Sequence, residues 1–355
     1  MANLKFFTLI LFVPLFFVLD RSFADSSLKI GVILPLSGQA ASFGRSTQNG
    51  VSMAVSDKIK EGNKLEVIFE DDAMKSSNTL AAYSKLTMIN KVDAVICFAS
   101  NTCNSVNRLA EKDGIPLIAI ASDKTISKDK SYVFNLWVTP EVQNDALYGL
   151  LSAKGLNRVA VVTTIHEGSM AVKDDLLSRY KDKFNFVFEY DYSPEHRDFK
   201  SEMPKLISAK PDALILILMP GQSGIFARRL REYKSEVPIF SYEIMEDESE
   251  LKVSNGALTG AIIATADNGN SEFLNNYKLK FPNSSMVASC NGYDAISLLS
   301  LGFRQGKSSR QASQILRELK DYNGACGTFS ATGDNRFNLP AVLKVARGDG
   351  FHLIN

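Results

Sequence analysis

Histidine is scarce in this chain. His166, His196 and His352 are the only three in 355 residues, and no two stand at the spacing of a helical metal pair. HExxH and CxxC-type zinc clusters are absent. No GxGxxG occurs. Gly302-Phe303-Arg304-Gln305-Gly306-Lys307-Ser308 is one residue short of a phosphate loop, and it follows a helical stretch where such a loop follows a strand. It reads as a helix C-terminus closed by glycine, with solvated charge trailing behind. Gly221-Gln222-Ser223-Gly224 is not GxSxG, so a nucleophile elbow has no support. The sequence therefore calls for no cofactor and no metal, and an enzyme is not the expected reading. An excess of charge is missing too. Lys plus Arg number 40 against 39 Asp plus Glu, so nothing electrostatic draws the chain to nucleic acid or to an anionic membrane.

Beyond the first 24 residues there is no apolar run long enough to span a bilayer, and no direct membrane insertion is expected of the mature chain. The start is different. Lys5 precedes the uncharged stretch Phe6 to Leu19, and Asp20, Arg21 and Ser22-Phe23-Ala24 follow. A positive n-region, a short apolar core and small residues before the cut describe a cleavable secretory signal, with cleavage expected after Ala24 and the periplasm as the expected location. Removing it takes away Lys5, Asp20 and Arg21 and leaves acidic and basic residues in balance. Export permits disulfides. The four cysteines are Cys97, Cys103, Cys290 and Cys326. Three pairings are open. Cys97–Cys103 with Cys290–Cys326 is favoured as the most local, with buried free thiols as the alternative.

The rest alternates strand and helix. Leu28 to Leu34, Leu65 to Phe69, Ala94 to Phe98 and Ile115 to Ile120 are short apolar runs, separated by helical stretches at Thr47 to Ile59, Thr79 to Ile89 and Ser105 to Lys112. A second series opens with the strand Arg158 to Thr163. It continues through Phe186 to Tyr190, Ala213 to Met219, Val237 to Phe240 and Ala261 to Ala264. Its helices are expected at Met170 to Tyr180, Phe199 to Ser208 and, opened by Gly221 and Gly224, through Tyr233. Such alternation predicts an α/β fold of two doubly wound parallel-sheet lobes. Ligands in such sheets bind beyond the carboxyl ends of the strands. That directs attention to 35–44, 99–104, 120–125, 164–169, 219–224 and 241–247. Helices at Tyr293–Gly302 and Ala312–Leu319 and three short strands complete the tail.

Few side chains suggest chemistry. Asp71-Asp72 reads as a structural pair, because neighbours on a strand point to opposite faces. Arg228, Arg229 and Arg231 read as a solvated helix face.

Ile30-Gly31-Val32 through Pro35-Leu36-Ser37-Gly38, then Phe43-Gly44 and Asn49-Gly50, resemble the type I periplasmic substrate-binding proteins of ABC importers, in their branched-chain amino-acid group. Phe69-Glu70-Asp71-Asp72, Glu111-Lys112-Asp113-Gly114-Ile115-Pro116, Tyr293-Asp294-Ala295 and Gly327-Thr328-Phe329-Ser330 extend the resemblance over essentially the whole mature chain. It implies two discontinuous lobes joined by a three-segment hinge. Lobe one covers 25–135 plus 270–330, lobe two 140–265 plus 335–355, and the crossovers lie near 132–139, 265–270 and 330–340. It also implies ligand-binding residues. Phe43 would pack on the ligand side chain. Ser100 would bind a carboxylate, Ala121, Ser122 and Asp123 would hold the α-carboxylate and α-amine, and Glu243 would pair with the α-ammonium. Two features depart from the family pattern. Asp123 stands where Thr or Ser is usual and would prefer an amide or amine. Gly168 and Gly221 replace second-lobe aromatics, which leaves room or moves recognition to His166 and Tyr242. If Glu243 were not in the site, it would belong to a solvated acidic run with Glu246, Asp247, Glu248 and Glu250.

The resemblance implies capture of a small polar ligand, an amino acid or a derivative such as an amide, and its delivery to ABC permease subunits in the inner membrane. A sensory protein of the same fold and a secreted enzyme of unfamiliar type are the rival expectations.

Overall fold

The computed structural model describes residues 27–354. The expected signal segment and the cut after Ala24 lie outside the described residues. The first half contains β1 (Leu28–Leu34), α1 (Ala41–Lys60), β2 (Leu65–Asp71), α2 (Ser76–Ser84), β3 (Ala94–Phe98), α3 (Ser100–Asp113), β4 (Leu117–Ile120) and β5 (Val133–Asn135). These strands form one parallel sheet in the order β2-β1-β3-β4-β5. After 136–139 the chain enters α4 (Pro140–Ala153), β6 (Arg158–Thr164), α5 (Glu167–Tyr180), β7 (Asn185–Tyr192) and α6 (Met203–Ser208). It continues through β8 (Ala213–Ile217), α7 (Ser223–Glu232), β9 (Ile239–Tyr242), α8 (Glu248–Ser254) and β10 (Ile262–Ala266). Strands β7-β6-β8-β9-β10 repeat the order of the first sheet.

The chain then returns with α9 (Ser271–Lys280), α10 (Ser289–Gly302), α11 (Ser309–Arg317) and the hairpin β11 (Tyr322–Gly324) and β12 (Gly327–Phe329). It finishes with β13 (Ala341–Arg347) and β14 (Gly350–Leu353), which add antiparallel beside β10 and cover that edge. Phe337 and Leu339 still pack in the first core, so the chain joins the second sheet only at β13.

The period of two along buried strands builds a core on each face of each sheet. Ile96, Phe98, Ile118 and Ile120 face α1, α9, α10 and α11, while Val95, Cys97, Leu117 and Ala119 face α2 and α3. In the second sheet Leu214 and Leu216 face α6 and α7, and Ala213, Ile215 and Ile217 face α4 and α5. α1 and α10 approach closely because Gly292 carries no side chain: a Cβ there would stand 2.5 Å from the Thr47 carbonyl oxygen.

Both favoured disulfides are present. Cys97–Cys103 ties the end of β3 to the first turn of α3, and Cys290–Cys326 ties α10 to the β11–β12 hairpin. The carboxylates of Asp71 and Asp72 are structural. Asp71 accepts from the backbone N–H of Leu36, Ser37 and Ala73, and Asp72 accepts from Met74 N–H and the Thr79 hydroxyl. The stretch after Gly302 is a single 3₁₀ turn, Arg304–Gly306, and Ser308 caps α11 with Gln311 in a reciprocal box. Gly306, at φ +70°, turns the chain there; Gly302 packs within the last turn of α10 instead.

Candidate functional site

The carboxyl ends of six strands meet across the gap between the two sheets and enclose a cavity of ≈ 540 Å³ including its mouth. From the first sheet come Phe43 after β1, Ser100 after β3, and Ala121 and Ser122 after β4. From the second come His166 and Gly168 after β6, Met219 and Pro220 after β8, and Glu243 after β9. Small polar residues at these strand ends have a physical reason. The chain must turn there with its backbone near a ligand, and the apolar face of each helix begins only where the helix passes back over its sheet. Thus Phe43 and Ser100, expected in loops, sit in the first turns of α1 and α3.

Glu243 dominates the polar wall. It opens the short turn after β9 and is 5% exposed. Its Oε1 accepts from Ser122 Oγ and from Trp137 Nε1, both at 3.2 Å, and Gln143 Nε2 donates to Oε2. All three donors are neutral. Among the described residues, no Lys or Arg forms an ion pair with it. Burial raises its pKa above the usual carboxylate range, and the three donors oppose that shift. Tyr242 beside it is not on the wall. Its hydroxyl donates to Asn144 Oδ1 at 2.6 Å, and its ring packs in the second core.

The neighbouring acids do not form a solvated run. Glu246 is buried, bound to Lys344 Nζ at 2.5 Å and to the side chains of Thr265 and Asn268. Glu250 is buried and accepts from the N–H groups of Gly221 and Gly224, so it closes the turn between β8 and α7. Gly221, held this way, is off the cavity wall; Met219 and Pro220 stand in its place.

Asp123 is also off the wall. Its Oδ1 accepts from the Thr125 N–H and hydroxyl, both at 2.8 Å, and its Oδ2 accepts from Asn104 Nδ2 at 2.8 Å. The carboxylate closes its own turn, as short acidic side chains do. Only its backbone reaches the site region, donating to Ser100 Oγ at 3.1 Å. The expectation that Asp123 presents a carboxylate to the ligand is corrected accordingly.

Four wall residues, Met74, Phe98, Trp137 and Val287, escaped the sequence reading. Trp137 carried a usable signal, being the only tryptophan and lying in an expected crossover. Gln143, in the first turn of α4, had none. The remaining wall is apolar, and Ala99 within it adopts φ +72°, ψ 151°, a region L-residues avoid. The lobes also touch outside the cavity: Ser42 Oγ donates to Asp247, and Asn104 Nδ2 reaches Glu167 Oε2 at 2.7 Å.

This fold has relatives among known proteins. Residues 27–349 match the model of the periplasmic binding protein family. A Leu/Ile/Val-binding protein of Rhizobium johnstonii is 24% identical over 343 residues, 88% of this chain and 89% of that protein. A leucine-binding protein of Thermotoga maritima superposes with a TM-score of 0.87 at 19% identity, covering 92% of this chain and 98% of the other. A solute-binding protein of Rhodopseudomonas palustris in complex with 3,4-dihydroxybenzoic acid superposes at 0.79 and 22% identity, covering 93% and 95%. With two like-wound lobes, a cavity at their strand ends and a family match across nearly all described residues, the chain belongs to the periplasmic binding proteins.

Proposed function

We propose that this protein captures a small ammonium-bearing ligand, an amino acid or a derivative such as an amide, between its lobes and delivers it to the permease of an ABC importer from the periplasm. The observation that carries this reading is the buried Glu243 carboxylate on the cavity wall, hydrogen-bonded but without a cation among the described residues. A buried charge gains most from an opposite charge. A ligand ammonium supplies that charge. The hydroxyls of Ser100 and Ser122 suit a polar group beside it, and Phe43, Trp137 and Val287 suit an apolar remainder. The likeness to leucine-binding and Leu/Ile/Val-binding proteins supports the same ligand class. An aromatic acid without an ammonium, as in the Rhodopseudomonas neighbour, would bring a second carboxylate into the cavity that holds Glu243, and like charges oppose that.

A thermal-shift screen of residues 25–355 against amino acids, their amides, aromatic acids and polyamines tests the reading. Ligand at about 100 times its Kd stabilises by about 2.7 kcal/mol, a shift of a few degrees. Hits among ammonium-bearing compounds are expected. Hits confined to aromatic acids would reject the role of Glu243, and turnover of any hit would reject a binding-only protein.

A further inference from the structure

Gln143 is off the cavity wall, in the first turn of α4, and its side chain is fully buried. Its amide nitrogen donates to the Ala264 carbonyl at 3.2 Å and to Glu243 Oε2. Ala264 lies on β10 beside Tyr242 in the β9–β10 ladder, so that carbonyl and the turn carrying Glu243 are held in one register. Gln143 Oε1 has no partner among the described residues, so the donors alone orient the amide. Turned over, the amide would bring its oxygen to two acceptors at once, the Ala264 carbonyl and the Glu243 carboxylate. An amide oxygen has no proton to share with either. Gln143 is therefore held as a donor toward Glu243. The other two partners donate as well. The Trp137 indole N–H can only donate, and the Ser122 hydroxyl donates to Oε1. A neutral carboxyl must place its own proton on an acceptor. Among these three side chains only the Ser122 hydroxyl could turn to take it.

We propose that Gln143 is a positioning residue: pinned by the Ala264 carbonyl, it fixes the orientation of Glu243 and keeps it the anion that a ligand ammonium requires. The proposal rests on reading Glu243 as the ammonium partner and adds the residue that maintains its charge. Burial works the other way, pushing the Glu243 carboxyl above its ordinary range, and the bond from Gln143 heads the side-chain bonds that oppose it. Three titratable groups lie around Glu243. Tyr242 precedes it on β9, with its hydroxyl on Asn144. Glu246 follows three residues later, paired with Lys344 of β13. His166 stands on the cavity wall at the start of α5. From α4, β10, the end of β4 and the crossing at 136–139, Glu243 is faced by Gln143, the Ala264 backbone, Ser122 and Trp137, none of which titrates.

Carboxyl ¹³C titration of residues 25–355, labelled in glutamate, tests this without any ligand. The Glu243 signal is identified by its loss in Glu243→Gln. Gln143→Met keeps the length of the side chain and cannot donate. It should raise the Glu243 midpoint by about one pH unit or more, tenfold in the ionisation equilibrium, and leave the other glutamate signals in place. Gln143→Glu sets a second carboxyl against the first and should raise the midpoint as well. The unaltered protein gives a reading that needs no variant: the Gln143 amide ¹⁵N and ¹H resonances should move as Glu243 titrates. Calorimetry with L-leucine between about pH 5 and 8 reads the consequence for binding. The loss of affinity on acidification should move to higher pH in Gln143→Met. A Glu243 midpoint unchanged or lowered in both variants, or Gln143 amide signals indifferent to its titration, would overturn the positioning role. Leucine binding with the same pH profile in Gln143→Met would also overturn it, and would leave the pairing of Glu243 with ammonium intact. A raised midpoint with no binding of leucine, or of any other ammonium-bearing compound in the screen, would keep the positioning role and reject ammonium as the partner.

Discussion

Glu243 and Asp123 each follow a strand end, and their turns send the two carboxylates in opposite directions. Glu243 emerges from β9 onto the cavity wall. Asp123 turns back to hold its own backbone. A resemblance can align both, but only the path of the turn decides where a carboxylate points. The rest of the site divides in the same way. Phe43, Ser100, Ala121 and Ser122 came from the family resemblance and His166 only as a neighbour of the absent aromatics; all five line one cavity. Gln143 was not legible, because a glutamine in a helical turn carries no local mark of what lies opposite. Replacing Glu243 with alanine should weaken an ammonium-bearing ligand by about 2–5 kcal/mol in calorimetry, since the ligand charge then has no partner. The raised pKa of Glu243 also gives a pH dependence. The ammonium needs the ionised carboxylate, so affinity should fall with acidification and begin to do so above pH 4.5, the ordinary carboxylate value. Flat affinity from pH 7 to 4.5 would remove Glu243 from the charge pairing. Asp294 offers a parallel test on stability. Buried beneath the hairpin, it accepts from the N–H groups of Ala325 and Cys326, and burial pushes its pKa up to about 7. The folded form holds this proton more tightly than the unfolded form, whose value is 3.8. Its contribution to stability therefore declines as pH rises between those values. Urea titrations of Asp294→Asn should show a flatter profile across that window than the unaltered chain.

Elements were legible where burial is uniform. Arg158 to Thr163 and Ala213 to Met219 are apolar runs with no amphipathic alternative, and β6 and β8 fall on them. Helix starts were not legible. α1 and α3 begin with small or polar residues because their first turns face the cleft, so hydrophobic periodicity appears a turn or more late. α4, α8, α9 and β5 escaped for a related reason: each is short or weakly patterned and is held by its neighbours. The two disulfides belong to this scale. Cys97–Cys103 closes a loop of sequence separation 6 and Cys290–Cys326 one of 36. Loop-closure entropy then predicts a loss of about 2 kcal/mol when serine replaces the first pair and about 4 kcal/mol for the second, measured by denaturation under non-reducing conditions. The smaller loop should have the larger effect on ligand. It braces the junction that presents Ser100, where Ala99 holds a backbone conformation it would otherwise leave. Equal affinity in the Cys97→Ser/Cys103→Ser variant would show that packing alone holds the junction.

The whole molecule is a pair of like sheets with their strand ends facing. Alternation along the chain made two lobes legible. The return of α9, α10 and α11 to the first core was legible only through family resemblance, since that stretch brings helices without the strands that would mark the sheet they join. The lobes also touch away from the cavity, where Ser42 Oγ donates to Asp247. Ser42→Ala should therefore raise the radius of gyration of the ligand-free protein in solution scattering and weaken binding severalfold. The ligand-bound form should keep its compact dimensions. An unchanged free form would show that this bond does not bias the lobes.

The shared strand order hides an asymmetry in time. A chain synthesised from its N-terminus has both parallel sheets laid down by β10, yet neither interior is sealed. One face of the first sheet is covered by α9 to α11, and the β10 edge of the second is paired by β13. Partners far apart in sequence must meet last, which slows folding. The native packing of both halves is thus completed only by elements from the last quarter of the chain.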